Sequence, residues 1–165
     1  MMNYISGCYT DIGTRKSTNQ DSMLLLHADT PQGEAVFAVM CDGMGGLAKG
    51  EVASATAILA CSDWFRTRFP ELIANGVLDA ETLRRQWLEL MREQDSRISR
   101  YGAQNGWKLG TTLVCLLLWG GQYYVGNIGD SRAYLLSDQI YQITHDHTVV
   151  QRKMDQGLIT FEQSL

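Results

Sequence analysis

Long apolar runs are missing from this 165-residue chain. No stretch approaches the length that spans a bilayer, and Met1–Gly7 has neither the basic start nor the apolar run of a secretory leader. Basic stripes are missing as well. The formal net charge is -4 and lysine and arginine gather nowhere, so neither nucleic acid nor a membrane is expected as a partner. Cysteine is sparse and scattered: Cys8, Cys41, Cys61 and Cys115 form no C-x-x-C pair, and three of them fall in apolar runs or helical patterns. That is the usage of reduced, structural thiols, and a cytoplasmic location is expected. Low-complexity segments and clear internal repeats are also lacking. What remains is ordinary globular material. Apolar residues make up 45%, which excludes a disordered chain, and the length suits one domain over residues 1–165 with a core of its own.

The chain is organised around Ala35–Ser54. A short apolar run, Ala35 to Cys41, is rich in β-branched and aromatic residues and reads as a buried strand. It ends on a carboxylate, Asp42, followed by Gly43, Gly45 and Gly46 and then by a small-residue helical pattern. An acid at a strand tip followed by bare backbone suits a hard cation, because carboxylate and carbonyl oxygens are what Mg²⁺ and Mn²⁺ prefer. A plain strand-to-helix turn accounts for this stretch equally well. A phosphate loop fails, since Lys49 is followed by Gly50 and Glu51. The G-x-G-x-x-A pattern Gly43–Ala48, with Asp63 about 20 residues on, imitates a dinucleotide fingerprint. Asp42 would however face the pyrophosphate, and Asp63 falls inside a helical pattern.

In chain order, Asn3–Asp11 reads as a strand. Gly13–Asp21 is a polar loop that offers Arg15, Lys16 and Asp21; cations beside an acid suit a metal-held phosphate, although alone the loop reads as a solvated connection. Met23–Ala28 and Ala35–Cys41 are expected to pair as a hairpin across Thr30-Pro-Gln-Gly33. A first helix is expected over Glu51–Phe69 with Ala55, Ile58, Ser62, Phe65 and Phe69 on one face, ended by Pro70–Gly76. A second, capped by Asp79, is expected over Ala80–Tyr101 with Leu83, Trp87, Leu90, Met91, Gln94, Ile98 and Tyr101 as its core stripe. From Gly110 the pattern gives a four-strand antiparallel meander, Thr111–Trp119, Gln122–Ile128, Arg132–Leu136 and Gln139–Thr144, with Asp130 at a hairpin tip. His145 and His147 would share a side of a continuing strand, but no third soft ligand lies nearby for zinc. Thr148–Gly157 reads as a short amphipathic helix, and Thr160 as a further cap.

The ordered set Asn19-Gln20-Asp21, Asp42-Gly-Met-Gly-Gly46, Gly110-Thr-Thr112, Gly129-Asp-Ser-Arg132 and Thr144-x-Asp146-His147 resembles the metal-dependent type 2C serine/threonine protein phosphatases, in their bacterial form. Each motif alone is weak; five in order are specific. The resemblance implies an α+β fold, an α-β-β-α sandwich of two antiparallel sheets flanked by helices. It implies two Mn²⁺ or Mg²⁺ ions, with a third held more weakly, and a metal-activated water that attacks phosphoserine or phosphothreonine in line. Carried over residue by residue, Asp42 is the bridging ligand, Gly43 offers its carbonyl, Asp21 supports the same cluster, and Asp130 matches the aspartate of the third metal. Asp146 matches a family position without an assigned role. A phosphorylated protein is the implied substrate and a serine/threonine kinase the implied opposing partner.

The chain departs from the family pattern in several places. Lys16 stands where the family has its phosphate-binding arginine, with Arg15 one residue earlier; Lys16 could hold phosphate only as a point charge. Gln20 stands where many members have glutamate, and Met44 where eukaryotic members have a histidine proposed as general acid. The family domain is longer, with two later metal-binding aspartates in Asp-Gly and Asp-Asn motifs. Here only Asp155 and Glu162 follow Asp146. The expectation is a C-terminally incomplete domain lacking part of the C-terminal sheet. The alternative is a non-catalytic pseudophosphatase that regulates or binds phosphopeptide.

Overall fold

The computed structural model describes residues 3–14, 16–45 and 49–164. Strands β1 (Asp21–Thr30) and β2 (Gly33–Met44) form the expected hairpin. Thr30 closes its turn, donating its hydroxyl to the Gly33 carbonyl at 2.6 Å and accepting from the Gln32 N–H at 3.2 Å. β2 is the central strand. It pairs with β1 on one side and with β3 (Gly110–Thr111) and β4 (Leu113–Trp119) on the other; β5 (Gln122–Ile128) continues the sheet beyond β4. All pairings are antiparallel. The Gly120-Gly121 turn between β4 and β5 has positive φ at both residues, as a two-residue hairpin of matching twist requires.

Helices α1 (Gly50–Ala74) and α2 (Ala80–Asn105) build the core against this sheet. The alternation of β2 and β4 sends Phe37, Val39, Cys41, Leu113, Cys115 and Leu117 inward. There they meet an aromatic cluster in which Phe37 stacks on Phe65 at 5.3 Å, Phe65 on Phe69 at 4.9 Å, and Trp64 meets Trp87 edge-on at 5.8 Å. Asp79 caps α2 as expected, accepting from the Thr82 N–H at 2.7 Å, and Leu83, Trp87, Gln94 and Ile98 are buried on the expected stripe. Tyr101 lies at the edge of that stripe, exposed and packed edge-on against Trp107.

Four expectations are corrected. Pro70 does not end α1, because Phe69 and Leu72 are buried and hold the last turn on the core despite the lost donor. The buried face of α1 keeps Phe65 and Phe69 as expected but adds Ala53, Ser54, Ala57, Cys61 and Trp64, whereas Ala55 is exposed. Small residues approach the sheet closely at its start, and aromatic residues fill the core further along. Asn3–Asp11 forms no ladder; it is tied to the hairpin by Tyr4 N–H to the Glu34 carboxylate (2.9 Å) and Ser6 to His27 (2.9 Å). The four-strand meander divides. β6 (Tyr134–Leu136) and β7 (Ile140–Gln142) form a separate two-stranded sheet, because the chain turns away at Gly129 with φ +96°. The result is two antiparallel sheets with helices, the second sheet only two strands wide. After β7 comes α3 (Val149–Asp155), capped by Thr148, and a single 3₁₀ turn over Glu162–Ser164 in which Thr160 accepts from Gln163.

Three thiols lie inside this core. Burial pushes Cys41 and Cys61 up to about 12 and raises Cys115 further, while Cys8 is exposed. Titration of the folded protein with a thiol reagent at pH 8 is therefore expected to modify Cys8 alone, with the other three reacting only after denaturation. A rapid second equivalent in the folded state would contradict this packing.

Candidate active site

The site is assembled at the end of the β1–β2 hairpin. Register places Asp21 directly opposite Asp42, so two carboxylates share one end of the sheet. β2 does not stop at Cys41: Asp42, Gly43 and Met44 remain in the strand, and Gly43 and Met44 pair with β3. That pairing removes the dinucleotide reading, which needs Gly43 in a turn. Gly46, Leu47 and Ala48 lie outside the described residues, as does Arg15.

Backbone bonds fix the strand at Asp42, and its side chain meets that of Asp21. Its N–H donates to the Thr112 hydroxyl at 3.0 Å, and its carbonyl accepts from the Thr112 N–H at 2.9 Å and the Thr111 hydroxyl at 3.1 Å. The ladder of β2 breaks between β3 and β4 at Thr112, where a side-chain oxygen takes the place of a backbone acceptor. Thr112 is 2% exposed and its hydroxyl also meets Ser131 at 2.7 Å. One buried hydroxyl thus joins the Asp42 strand to the Gly129–Arg132 turn that carries Asp130. Gly129 packs closely on the same threonine; a Cβ there would lie 2.7 Å from Thr112 Cγ2.

The turn is fixed from its other side by Asp146. Arg132 donates Nε to both carboxylate oxygens at 2.9 and 3.0 Å and Nη2 to Oδ2 at 2.6 Å. Asp146 is buried and held well below the usual carboxylate range, first by the hydrogen bonds from Arg132. Its carboxylate is thus engaged in holding Arg132 and the turn. The two histidines diverge: His145 pairs with Asp155 at 2.9 Å, and His147 lies against Gly129, whose carbonyl accepts the His147 N–H at 2.9 Å.

Gly43 is explained by packing. Its N–H donates to the Gln20 carbonyl at 3.1 Å, and a Cβ on it would overlap the carbonyl oxygens of Gly50 and Gln20. Reciprocally, a Cβ on Gly50 would sit 2.9 Å from the Gly43 carbonyl group. Ser54 adds a hydroxyl bond to the Gln20 carbonyl at 2.6 Å and meets Ser22 at 2.9 Å. The start of α1 is locked to the hairpin end that holds Asp21 and Asp42. Thr112, Ser131 and Ser54 escaped sequence reasoning as site builders. The first two stand inside quoted motifs, which was the only signal available.

Electrostatics around Asp42 favour a cation. Its carboxyl is raised above the usual range, first by desolvation, then by the Asp21 charge, with a smaller contribution from Asp130; Lys16 acts in the opposite sense. Among the described residues no three acidic, imidazole or thiol side chains close around a single point. The donors that do meet are all hard oxygens, and a divalent cation would relieve their repulsion. The residues present thus fit Mn²⁺ or Mg²⁺. A folded-state pKa above the unfolded value gives stability that is present at low pH and lost as pH rises through the folded value. Asp42→Asn is therefore expected to raise the thermal midpoint of the metal-free protein at pH 7 and to change it little at pH 3. Calorimetry in EDTA at the two pH values checks this, and a lower midpoint at pH 7 would contradict the described environment.

The protein phosphatase 2C family profile matches residues 13–151. The serine/threonine phosphatase stp of Listeria innocua is 32% identical over 162 residues, covering 94% of this chain and 60% of the relative. The serine/threonine protein phosphatase PstP of Mycobacterium tuberculosis is 34% identical over 157 residues, 94% of this chain and 27% of the relative. Among solved structures, a bacterial serine phosphatase superposes with a TM-score of 0.74 at 31% identity, over 93% of this chain and 60% of that one. The PstP catalytic domain in complex with two manganese ions gives 0.69 at 32% identity, over 92% and 60%. The chain belongs to the protein phosphatase 2C family. It spans about 60% of the length of the curated Listeria and Streptococcus relatives it matches.

Proposed function

We propose that the protein hydrolyses phosphoserine and phosphothreonine in protein substrates, opposing a serine/threonine kinase, at a centre of two Mn²⁺ or Mg²⁺ ions with a third held more weakly. The observation that carries this reading is the Asp21–Asp42 pair, opposed across β1 and β2 at the end of the sheet. Supporting it is the family to which the chain belongs, one member of which has been crystallised with two manganese ions. Asp42 and Asp21 would hold the metal pair, Gly43 would add its carbonyl, and Asp130 would serve the weaker position. Divalent ions supply charge for the phosphoryl oxygens and a nucleophile at neutral pH. Lys16, whose charge reaches Asp42, would attract the phosphate as a point charge; Arg15 stands beside it in sequence. The Thr112–Ser131 bond keeps the Asp42 strand and the Asp130 turn at a fixed separation, so their carboxylates are arranged before substrate arrives.

The test is hydrolysis of p-nitrophenyl phosphate and a phosphothreonine peptide with added Mn²⁺, and again in EDTA. Metal-dependent turnover of both supports the reading. A folded protein that binds the phosphopeptide without releasing phosphate would instead support the non-catalytic alternative.

A further inference from the structure

Strand β5 is an open edge of the large sheet. β4 pairs along one side of it, and no strand among the described residues lies on the other. The two-residue turn at Gly120-Gly121 fixes which backbone groups face outward. Trp119 and Gln122 flank that turn as a hydrogen-bonded pair, and bonded and non-bonded pairs alternate from there. The N–H and C=O of Tyr123, Val125 and Asn127 therefore point away from β4, and among the described residues they have no other backbone partner. Edge strands are ordinarily blunted by charge, proline, a bulge or a cover. β5 carries no charged residue and no proline, and its pairing runs without a bulge from Gln122 to Ile128. The opposite edge is managed: β1 carries Asp21, His27 and Asp29, and Ser6 is bonded to His27.

The edge is one wall of a groove of about 490 Å³, and α2 is the other. Leu83, Trp87, Leu88 and Met91 make the helix wall apolar, and Arg84 is the one charged residue in the lining. Met91 and Ile98 lie toward the Ile128 end of the sheet, so Arg84 sits toward the start of β5. We propose that this groove binds an extended segment of a partner protein, added to β5 as an antiparallel strand with apolar side chains at alternate positions against α2 and an acidic one, near its C-terminal end, facing Arg84. The unpaired ladder calls for a strand, the apolar wall for the alternation and Arg84 for the acid. A second copy of this chain does not fit. A Cβ on Gly126 would lie 3.1 Å from the Trp87 ring and 3.5 Å from Met91 Cε, so α2 lies over β5 itself. Pairing two β5 strands about 4.8 Å apart would crowd two helices that need about 8–10 Å. A lone strand brings no helix. The binding does not rest on the phosphatase reading.

The probe is the heptapeptide acetyl-VTVTVTD-amide, whose valines and aspartate share one face. As an antiparallel strand it turns its threonine amides toward β5 and its valine amides away. It is titrated into the protein and followed by amide chemical shifts and hydrogen exchange. Saturable binding is expected, with the Tyr123 and Val125 amides becoming protected. N-methylation of the threonines is expected to weaken binding at least about tenfold, and N-methylation of the valines to leave it within about twofold. Arg84→Glu is expected to weaken the peptide about fivefold and to strengthen the same peptide ending in lysine. Arg84 is exposed and its pair with Glu81 is 3.7 Å long, so this change spares the fold. No saturable binding, or a loss no greater for threonine than for valine methylation, would overturn the proposal. So would equal affinity of both peptides for the parent and Arg84→Glu, or a protein that dimerises through β5 and excludes the peptide. No turnover is read, so failure here leaves the phosphatase reading standing.

Discussion

Asp42→Ala is expected to lose Mn²⁺-dependent hydrolysis of p-nitrophenyl phosphate by more than about a thousandfold, with the fold intact. Three hydrogen bonds hold this residue in the sheet, and all of them use its backbone: N–H to Thr112, and carbonyl from Thr112 and Thr111. Removing the carboxylate therefore leaves the strand in place. What disappears is the acidic group that faces Asp21 and feels Asp130 and Lys16 together. Its loss also removes repulsion in the metal-free protein, so stability in EDTA should hold or rise while activity falls. That opposition separates a site residue from a structural one. Asp155→Asn is the matched control: an exposed carboxylate paired, among the described residues, with His145 and Gln151, expected to leave the rate within about twofold and stability within about 0.5 kcal/mol. Retention of most activity in Asp42→Ala, with metal dependence unchanged, would sink the assignment.

Much of this arrangement was legible in the chain. The β1–β2 hairpin announced itself through two apolar runs around Thr30-Pro-Gln-Gly33, and α2 through its stripe and the Asp79 cap. Those signals are local, and local chemistry decides them. The misses share a different cause. Pro70 signals a stop, but burial of Phe69 and Leu72 carries α1 past it. The division of the meander depends on Gly129 meeting Thr112 and on Arg132 reaching Asp146, contacts across 17 and 14 positions. Asn3–Asp11 alternates like a strand but forms no ladder among the described residues; Tyr4 and Ser6 bond instead to the side chains of Glu34 and His27. At the site, motif order pointed to Asp21, Asp42 and Asp130 without showing what holds them. The threonine of Gly110-Thr-Thr112 proved to be the fastening, by replacing a backbone acceptor with a hydroxyl. No periodicity encodes that substitution, because it depends on which strand lies opposite.

Gly43→Ala is expected to destabilise the fold as strongly as Asp42→Ala is expected to impair turnover. If this glycine served only to present a carbonyl, alanine would do as well, since the carbonyl remains. The structure gives another reason. A Cβ at this position would overlap two backbone oxygens, those of Gln20 and Gly50, and neither can yield like a flexible side chain. The Gln20 carbonyl is already bonded by the Gly43 N–H and the Ser54 hydroxyl; Gly50 is the first residue of α1 and meets Gly43 in return. Relief requires moving the start of α1 away from the hairpin, and with it the packing of Ala53, Ser54 and Ala57. Overpacking typically costs about 1–3 kcal/mol, and the upper end applies where only backbone can move. For a domain of this size about 3 kcal/mol lowers the thermal midpoint by roughly 6–12 °C. Gly43→Ala is therefore expected to melt at least about 6 °C below the parent, measured by calorimetry in EDTA so that metal binding plays no part. Gly7→Ala, where an added Cβ meets nothing within 4 Å, is expected to melt with the parent. Equal midpoints for all three proteins would mean that α1 does not press on the strand that carries Asp42, and would return Gly43 to the role of a bare carbonyl.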